Sequence, residues 1–324
     1  MKIPALFNPS NDMALATNVR QYFPPRRIQQ MEDDLQSLAR FWDNGPWGWS
    51  LATKQRYLKM GIPENELPSD AWLAEIRRLS SREFGVKYYQ ALLLSPPKGE
   101  EIPLIPCQAK FITDASGLHN LITSTPPLLG GGREGALIIK APWSSSGRGN
   151  IIISSSFEGT GKRFIERVIR EQGGIVVEPF YANKTLDFAM EFEVSDKGTE
   201  FVGYSVFSAD ETGHYGGNLV KSQEELQTII DLSQPFLDSL IDYHQRELSK
   251  LPYRGPVGID MMRLADGRIQ PCVEINFRMT MGLLAILLYN KGICNDQWLT
   301  PYRPNGFTAS IRNGSLCICT PTLS

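Results

Sequence analysis

The stretch GIDMMRLADGRIQPCVEIN, residues 258–276, decides how this chain is read. Two largely apolar runs flank Ala265, Asp266 and Gly267, which is the chemistry of a β-hairpin turn. Strand side chains alternate in direction, so Glu274 and Asn276 point to one face. In an apolar strand these polar groups demand partners if that face is buried. Two carboxylates and an amide oxygen are hard ligands that suit Mg²⁺, which also keeps waters and takes phosphate oxygens. The length of the turn decides whether Asp260 joins them. A two-residue loop, Asp266 and Gly267, sets Asp260 opposite Val273 and away from Glu274. A three-residue loop, residues 265–267, puts Asp260 on the Glu274 face and requires Gly267 in the left-handed conformation. The three-residue loop is therefore predicted. Pro271 cannot donate to the ladder and marks a further irregularity. The competing reading is a hairpin whose polar face is merely solvated.

A second stretch, IIKAPWSSSGRGN at residues 138–150, delivers Lys140 from a strand into a Ser/Gly loop. Hydroxyls and successive backbone N–H groups of such a loop wrap phosphate oxygens, while Lys140 and Arg148 neutralise charge. It is not a Walker A loop, because G-x-x-x-x-G-K-[ST] is absent and a strand follows. An ordinary hairpin loop with a solvated lysine is the alternative.

Working outward, residues 3–7 read as a short strand closed by the breakers of residues 8–12. Helical spacing of apolar residues covers 26–41, then 69–79 and 82–94, with Ser69 or Asp70 as N-cap of the middle one. The first third therefore looks like a small α/β domain. Beyond it come a helix at 115–122, strands at 136–140 and 150–154, a helix at 162–172 and a strand at 175–179. Strands at 186–194 and 201–207 follow. A helix over 224–247, interrupted at Pro235, precedes the hairpin. A helix at 283–290 and an irregular tail end the chain. Gly130, Gly131 and Gly132 precede a strand and read as a linker rather than a dinucleotide fingerprint. Trp42, Trp47 and Trp49 read as packing residues. His214 sits in an expected turn.

The chain has 324 residues with a formal charge of −2, and Lys and Arg are scattered. That pattern argues against a broad nucleic-acid surface and a polybasic membrane anchor. No run of about 18 apolar residues suggests a membrane helix, and the N-terminus lacks the h-region of a signal peptide. The five cysteines, Cys107, Cys272, Cys294, Cys317 and Cys319, are too dispersed for a disulfide framework. They read as reduced thiols in a cytoplasmic setting. The three histidines have no zinc-ligand spacing.

Taken in order, these segments resemble the ATP-grasp superfamily of carboxylate–amine and carboxylate–thiol ligases. Its strand–lysine–glycine loop is similar to residues 138–149. Its hinge strand is similar to Val176, Val177, Glu178, Pro179, Phe180 and Tyr181, and its closing acidic pattern to Asp260, Glu274 and Asn276. The resemblance spans residues 82–285. It implies a pre-ATP-grasp-like α/β domain at 1–104, then two α+β lobes at 105–175 and 176–324. The implied activity is activation of a small-molecule carboxylate as an acyl-phosphate, captured by an amine or thiol, with ATP and Mg²⁺ (Mn²⁺ as the alternative).

The resemblance also implies residue roles. Lys140 contacts the α/β-phosphates, and the loop of Ser144, Ser145, Ser146, Gly147, Arg148 and Gly149 closes over them. Glu178 and Tyr181 hold adenine through main-chain groups, and Asp187 meets the ribose. Asp260, Glu274 and Asn276 hold one or two Mg²⁺. Arg278 stabilises the transferring phosphoryl group. A further basic residue is expected upstream, where Arg82 and Lys110 compete; an arginine there departs from the usual lysine. A nucleotide sensor or scaffold that keeps the ATP cradle without turnover is the competing function. A protein-kinase-like reading fails, because H-R-D and D-F-G are absent and the glycine loop follows the lysine.

Overall fold

The computed structural model describes residues 3–42, 44–96, 103–114, 116–118, 136–144, 149–153, 160–210, 214–299, 309–312 and 315–318. Two antiparallel sheets organise it. The smaller has strand order β1-β4-β2-β3, from β1 (Lys110–Ile112), β2 (Leu137–Lys140), β3 (Asn150–Ile153) and β4 (Ile175–Pro179). Helix α6 (Thr160–Gln172) covers it. Ile165 and Val168, three apart on one helical face, pack on Ile139, Ile175 and Val177.

The larger sheet has order β10-β7-β6-β5-β8-β9. Its long strands are β5 (Lys184–Ser195), β6 (Gly198–Ala209) and β8 (Gly255–Leu264); β7 (Tyr215–Val220), β9 (Ile269–Asn276) and β10 (Gln297–Leu299) complete it. The period of two sorts its side chains. Phe188, Met190 and Phe192 enter the main core, where they meet Leu237 and Leu240 of α8 (Gln234–Ser249) and Leu92 of α5 (Arg82–Leu94). Helix α9 (Met281–Asn290) packs with Val220, Phe7 and Trp47 into a second cluster. His244 on α8 is fully buried against Tyr88, whose hydroxyl lies 2.9 Å from Nδ1.

The hairpin follows the three-residue expectation. The Leu264 N–H donates to the Arg268 carbonyl at 2.9 Å, and Gly267 has φ +83°. Arg263 pairs with Ile269 and Met262 with Gln270, whereas Asp260 pairs with Glu274. The register therefore slips opposite Met261, where Pro271, Cys272 and Val273 form the irregularity that a proline demands. The slip is by two residues, so side-chain parity survives.

Several expectations fail. Residues 3–7 form no strand, and among the described residues before 97 the only bridge is Leu6 to Pro46. This part is helical rather than α/β: α1 (Asn11–Thr17), α2 (Arg26–Leu35), α3 (Leu51–Lys59), α4 (Asp70–Leu79) and α5, with 3₁₀ turns at Gln36–Phe41 and Glu64–Glu66. The backbone of the first segment is satisfied elsewhere. The Leu6 N–H bonds to the Gly45 carbonyl at 3.1 Å, and the Phe7 N–H to Gln36 Oε1 at 3.0 Å. The residues read as breakers start α1 instead, since Asn and Asp also favour a helix's first turn. The helix expected over 224–247 is two helices, α7 (Gln223–Ile230) and α8, with Asp231 left-handed between them and Pro235 inside the first turn of α8. His214, expected in a turn, stands immediately before β7, with residues 211–213 outside the described residues, and β10, β11 (Ala309–Arg312) and β12 (Ser315–Ile318) occupy the expected irregular tail. Gly130 to Gly132 and Cys319 lie outside the described residues. Cys107, Cys272 and Cys294 are free thiols. No helix among the described residues is long and apolar enough to cross a membrane.

Candidate functional site

A cleft of about 620 Å³ opens between the sheets. Ile138, Lys140 and Asn150 line it from the small sheet, and Asp187, Asp260 and Glu274 from the large one. Rungs of the large sheet set the order along its floor. Asp187 pairs with Phe207 and Met262; two residues on, Ala189 pairs with Ser205 and Asp260, and Asp260 with Glu274. Two further on, Glu191 pairs with Gly258, and Gly258 with Asn276. Asp260, Glu274 and Asn276 therefore share one face on neighbouring rungs.

Each of the three is held by protein in this structure. Asn276 Nδ2 donates to Asp260 Oδ2 at 3.1 Å, and Arg278 Nη2 donates to Asn276 Oδ1 at 2.9 Å. Arg82 Nη2 sits 2.9 Å from Glu274 Oε1 and 3.0 Å from Oε2. Burial pushes the Asp260 carboxyl well above its ordinary range, and the charges of Glu274 and Glu191 push it further. Asp260 facing Glu274, with the Asn276 amide beside them, offers the oxygen donors that a hard divalent cation takes, so these residues fit Mg²⁺ or Mn²⁺; in this structure that amide turns Nδ2 to Asp260 and Oδ1 to Arg278. Among the described residues no three His, Cys, Asp or Glu side chains converge as a metal cluster. The fit rests on two carboxylates and an amide, and in this structure Arg82 pairs with Glu274.

The cations come from the other wall. Lys140 is 8% exposed and forms an ion pair with Glu178 across β2 and β4. Arg82 opens α5, which Ser81 caps by accepting the Phe84 N–H at 3.2 Å. Its Nη1 donates to the Ala141 carbonyl at 2.6 Å and to Ser144 Oγ at 2.7 Å. Its Nε is buried with no partner among the described residues. Lys110 lies exposed on edge strand β1, away from the cleft-lining residues. Between the two rival positions, only Arg82 reaches the cleft.

Of the glycine loop, Ser144 and Gly149 are placed; Ser145, Ser146, Gly147 and Arg148 lie outside the described residues. A Cβ on Gly149 would stand 2.3 Å from that of Ser144, so only glycine fits where the loop re-enters β3. Glu178, Tyr181 and Asp187 follow one another along the cleft where β4 passes into β5. Burial raises the Asp187 carboxyl, and Lys184 opposes that shift.

The sequence reading missed a polar pocket at the far end. Glu191 is 1% exposed; it accepts from Ser205 Oγ at 3.0 Å and Thr280 Oγ1 at 2.8 Å. Burial raises it to about 7 despite those hydroxyls. Gly282 makes room for it, since a Cβ there would lie 2.2 Å from Glu191 Oε1. The strand alternation held the signal, because Asp187 and Glu191 share a face opposite Phe188, Met190 and Phe192. Asn8, Asn11 and Asp12, read as breakers in the sequence, divide: Asn8 bonds to the Gly48 carbonyl and Thr53, Asn11 packs under Gly48, and Asp12 reaches Arg278. Among the tryptophans, Trp42 and Trp47 pack on Phe7, and Trp49 on Tyr57, as expected; Trp47 also lines the cleft.

No protein-family model matches this chain, and no curated protein matches it. Solved structures do. D-alanyl-alanine synthetase A from Vibrio cholerae O1 biovar eltor is 15% identical, with TM-score 0.42, over 67% of this chain and 62% of that one. The biotin carboxylase–β,γ-ATP complex from Campylobacter jejuni is 12% identical, with TM-score 0.48, over 77% and 54%. N5-carboxyaminoimidazole synthetase from Staphylococcus aureus complexed with ADP is 11% identical, with TM-score 0.43, over 89% and 78%. The chain spans less than two thirds of the first two. Each of these three solved structures is 15% identical or less to this chain, with a TM-score below 0.5.

Proposed function

We propose that this chain is an ATP- and Mg²⁺-dependent ligase that activates a carboxylate as an acyl-phosphate for attack by an amine or thiol. One observation carries the reading: Asp260 faces Glu274 beside Asn276 and Arg278, on the floor of the same cleft that Lys140 lines from the small sheet and Arg82 from the start of α5. In this reading residues 105–175 and 176–324 supply the two lobes, and 1–104 precede them.

A carboxylate oxygen attacks the γ-phosphorus of ATP, and ADP leaves. The amine nitrogen or thiol sulfur then attacks the acyl carbon, phosphate departs, and the nucleophile's proton passes to solvent. Such transfer needs positioning and charge neutralisation rather than a protein nucleophile. Lys140 and Arg82 bind phosphate oxygens, Glu178 and Tyr181 present main-chain groups to adenine, and Asp187 meets the ribose. Arg278 faces the transferring group. Exclusion of the water that would hydrolyse an acyl-phosphate is assigned to the loop that Ser144 and Gly149 bound, whose inner residues lie outside the described ones. Asp260, Glu274 and Asn276 would hold a divalent cation, which would supply charge neutralisation at the phosphates.

The test is a panel of acids and amines assayed for ADP release with product masses recorded. We predict that Glu274→Ala removes at least a hundredfold of the metal-dependent rate while its circular dichroism stays native. Undiminished turnover in that variant would sink the assignment. The sensor reading draws on the internal pairing of Lys140 with Glu178 and Arg82 with Glu274. It predicts Mg·ATP binding with no ADP formed for any acceptor.

A further inference from the structure

Arg278 is gripped from the opposite end of the chain. Its Nε donates to both oxygens of Asp12 at 3.0 Å, and Nη2 lies 2.9 Å from Asp12 Oδ2. Nη1 donates to the Met279 carbonyl at 3.0 Å, and Nη2 to Asn276 Oδ1 at 2.9 Å. The guanidinium is therefore held on three sides, with the bidentate carboxylate as the strongest partner.

Asp12 is itself fixed by its surroundings. Ser10, just before α1, donates from N and Oγ to Glu32 Oε1 at 3.1 and 2.6 Å. Asn11 fits so closely under Gly48 that a Cβ there would meet its Nδ2 at 2.5 Å. At the far end of the helix, Arg77 Nε donates to the Leu15 carbonyl at 2.7 Å. A short helix anchored at three places delivers one carboxylate to one guanidinium.

Without that carboxylate, a cation two residues past Asn276 has other acids within electrostatic reach, namely Asp260 and Glu274. The protein already shows the outcome of such a meeting, because Arg82 occupies both oxygens of Glu274. We propose that Asp12 is a positioning residue: it holds Arg278 off the Asp260–Glu274 pair, so that a divalent cation has Arg82 but no second guanidinium to displace there. The N-terminal helical segment is then part of the site. This inference rests on the reading of Asp260, Glu274 and Asn276 as cation ligands.

The test needs no substrate. ADP is titrated into the full chain by calorimetry, once with EDTA and once with excess Mg²⁺. The wild type binds ADP more tightly with Mg²⁺; in Asp12→Asn that gain falls at least tenfold, while affinity in EDTA is unchanged. The double variant Asp12→Asn/Arg278→Met recovers the gain, since no second guanidinium then joins Arg82 on the carboxylates. A merely structural role for Asp12 predicts no recovery. Equal Mg²⁺ gains in wild type and Asp12→Asn overturn the proposal alone. Absence of any Mg²⁺ gain in the wild type overturns the ligand reading and the proposal with it. If Asp12→Asn does not fold, Arg278→Met is compared with the double variant. Equal Mg²⁺ gains support the proposal, and a further loss in the double variant overturns it.

Discussion

Glu191 shows at the scale of one residue how the site is held together and at what cost. Its carboxyl is almost fully buried, and two hydroxyls donate to it without offsetting the loss of water. The folded chain holds its proton up to about pH 7, while the unfolded chain releases it near 4.5. Folding is thus fully supported below the unfolded value, and that support is lost as pH rises through about 7. We predict that Glu191→Gln matches the wild type in urea unfolding near pH 4.5 and exceeds it at pH 8 by roughly 3 kcal/mol, the ceiling set by about 1.4 kcal/mol per pKa unit. Parallel stability curves across that interval would refute the buried, unpaired picture. The alternation along β5 carried the signal for the face of Glu191, which the reading of the sequence passed over. Its hydroxyl partners left no such signal, because Ser205 and Thr280 belong to other elements.

The hairpin of β8 and β9 shows what one element contributes. Its three-residue loop sets the parity that brings Asp260 onto the Glu274 face, and the slip at residues 271–273 then sets the two directly opposite. Both features were legible from Gly267 and Pro271, since turn chemistry and a missing N–H act within a few residues. Gly267 has open space around it, so a Cβ there meets strain in the backbone and no clash. Gly267→Ala is expected to cost about 1 kcal/mol in urea unfolding, and Gly267→Asn less, because asparagine tolerates the left-handed region. ADP affinity in Mg²⁺ should be unchanged in both. A Gly267→Ala chain as stable as wild type would show that the turn imposes no strain. The opposite lesson comes from residues 3–7, whose apolar run suggested a strand. A side chain, Gln36, and the loop at Gly45 took the hydrogen bonds that a neighbouring strand would have supplied.

Across the whole molecule, the cleft joins two sheets and a helical segment through Arg82, Glu274, Arg278 and Asp12. A ligand bridging those walls binds the folded chain alone and stabilises it by about 2.7 kcal/mol at a hundred times its Kd. Mg·ADP is therefore expected to raise the melting temperature more than ADP in EDTA, and Glu274→Ala to erase that difference. An equal Mg²⁺-dependent rise in both proteins, read by calorimetry, would place the cation elsewhere. By itself the sequence determined the hairpin and its turn, the strand that presents Lys140, and the alternation that puts acidic groups on one face. Those follow from side-chain period and turn stereochemistry, which operate between near neighbours. Only the tertiary structure decided that Arg82 rather than Lys110 enters the cleft, and that the described residues before 97 fold as helices joined by turns. It also decided that Arg278 is held by Asp12, 266 positions away. Pairings across such distances depend on how whole elements pack, and no local pattern of residues encodes which remote charge will arrive.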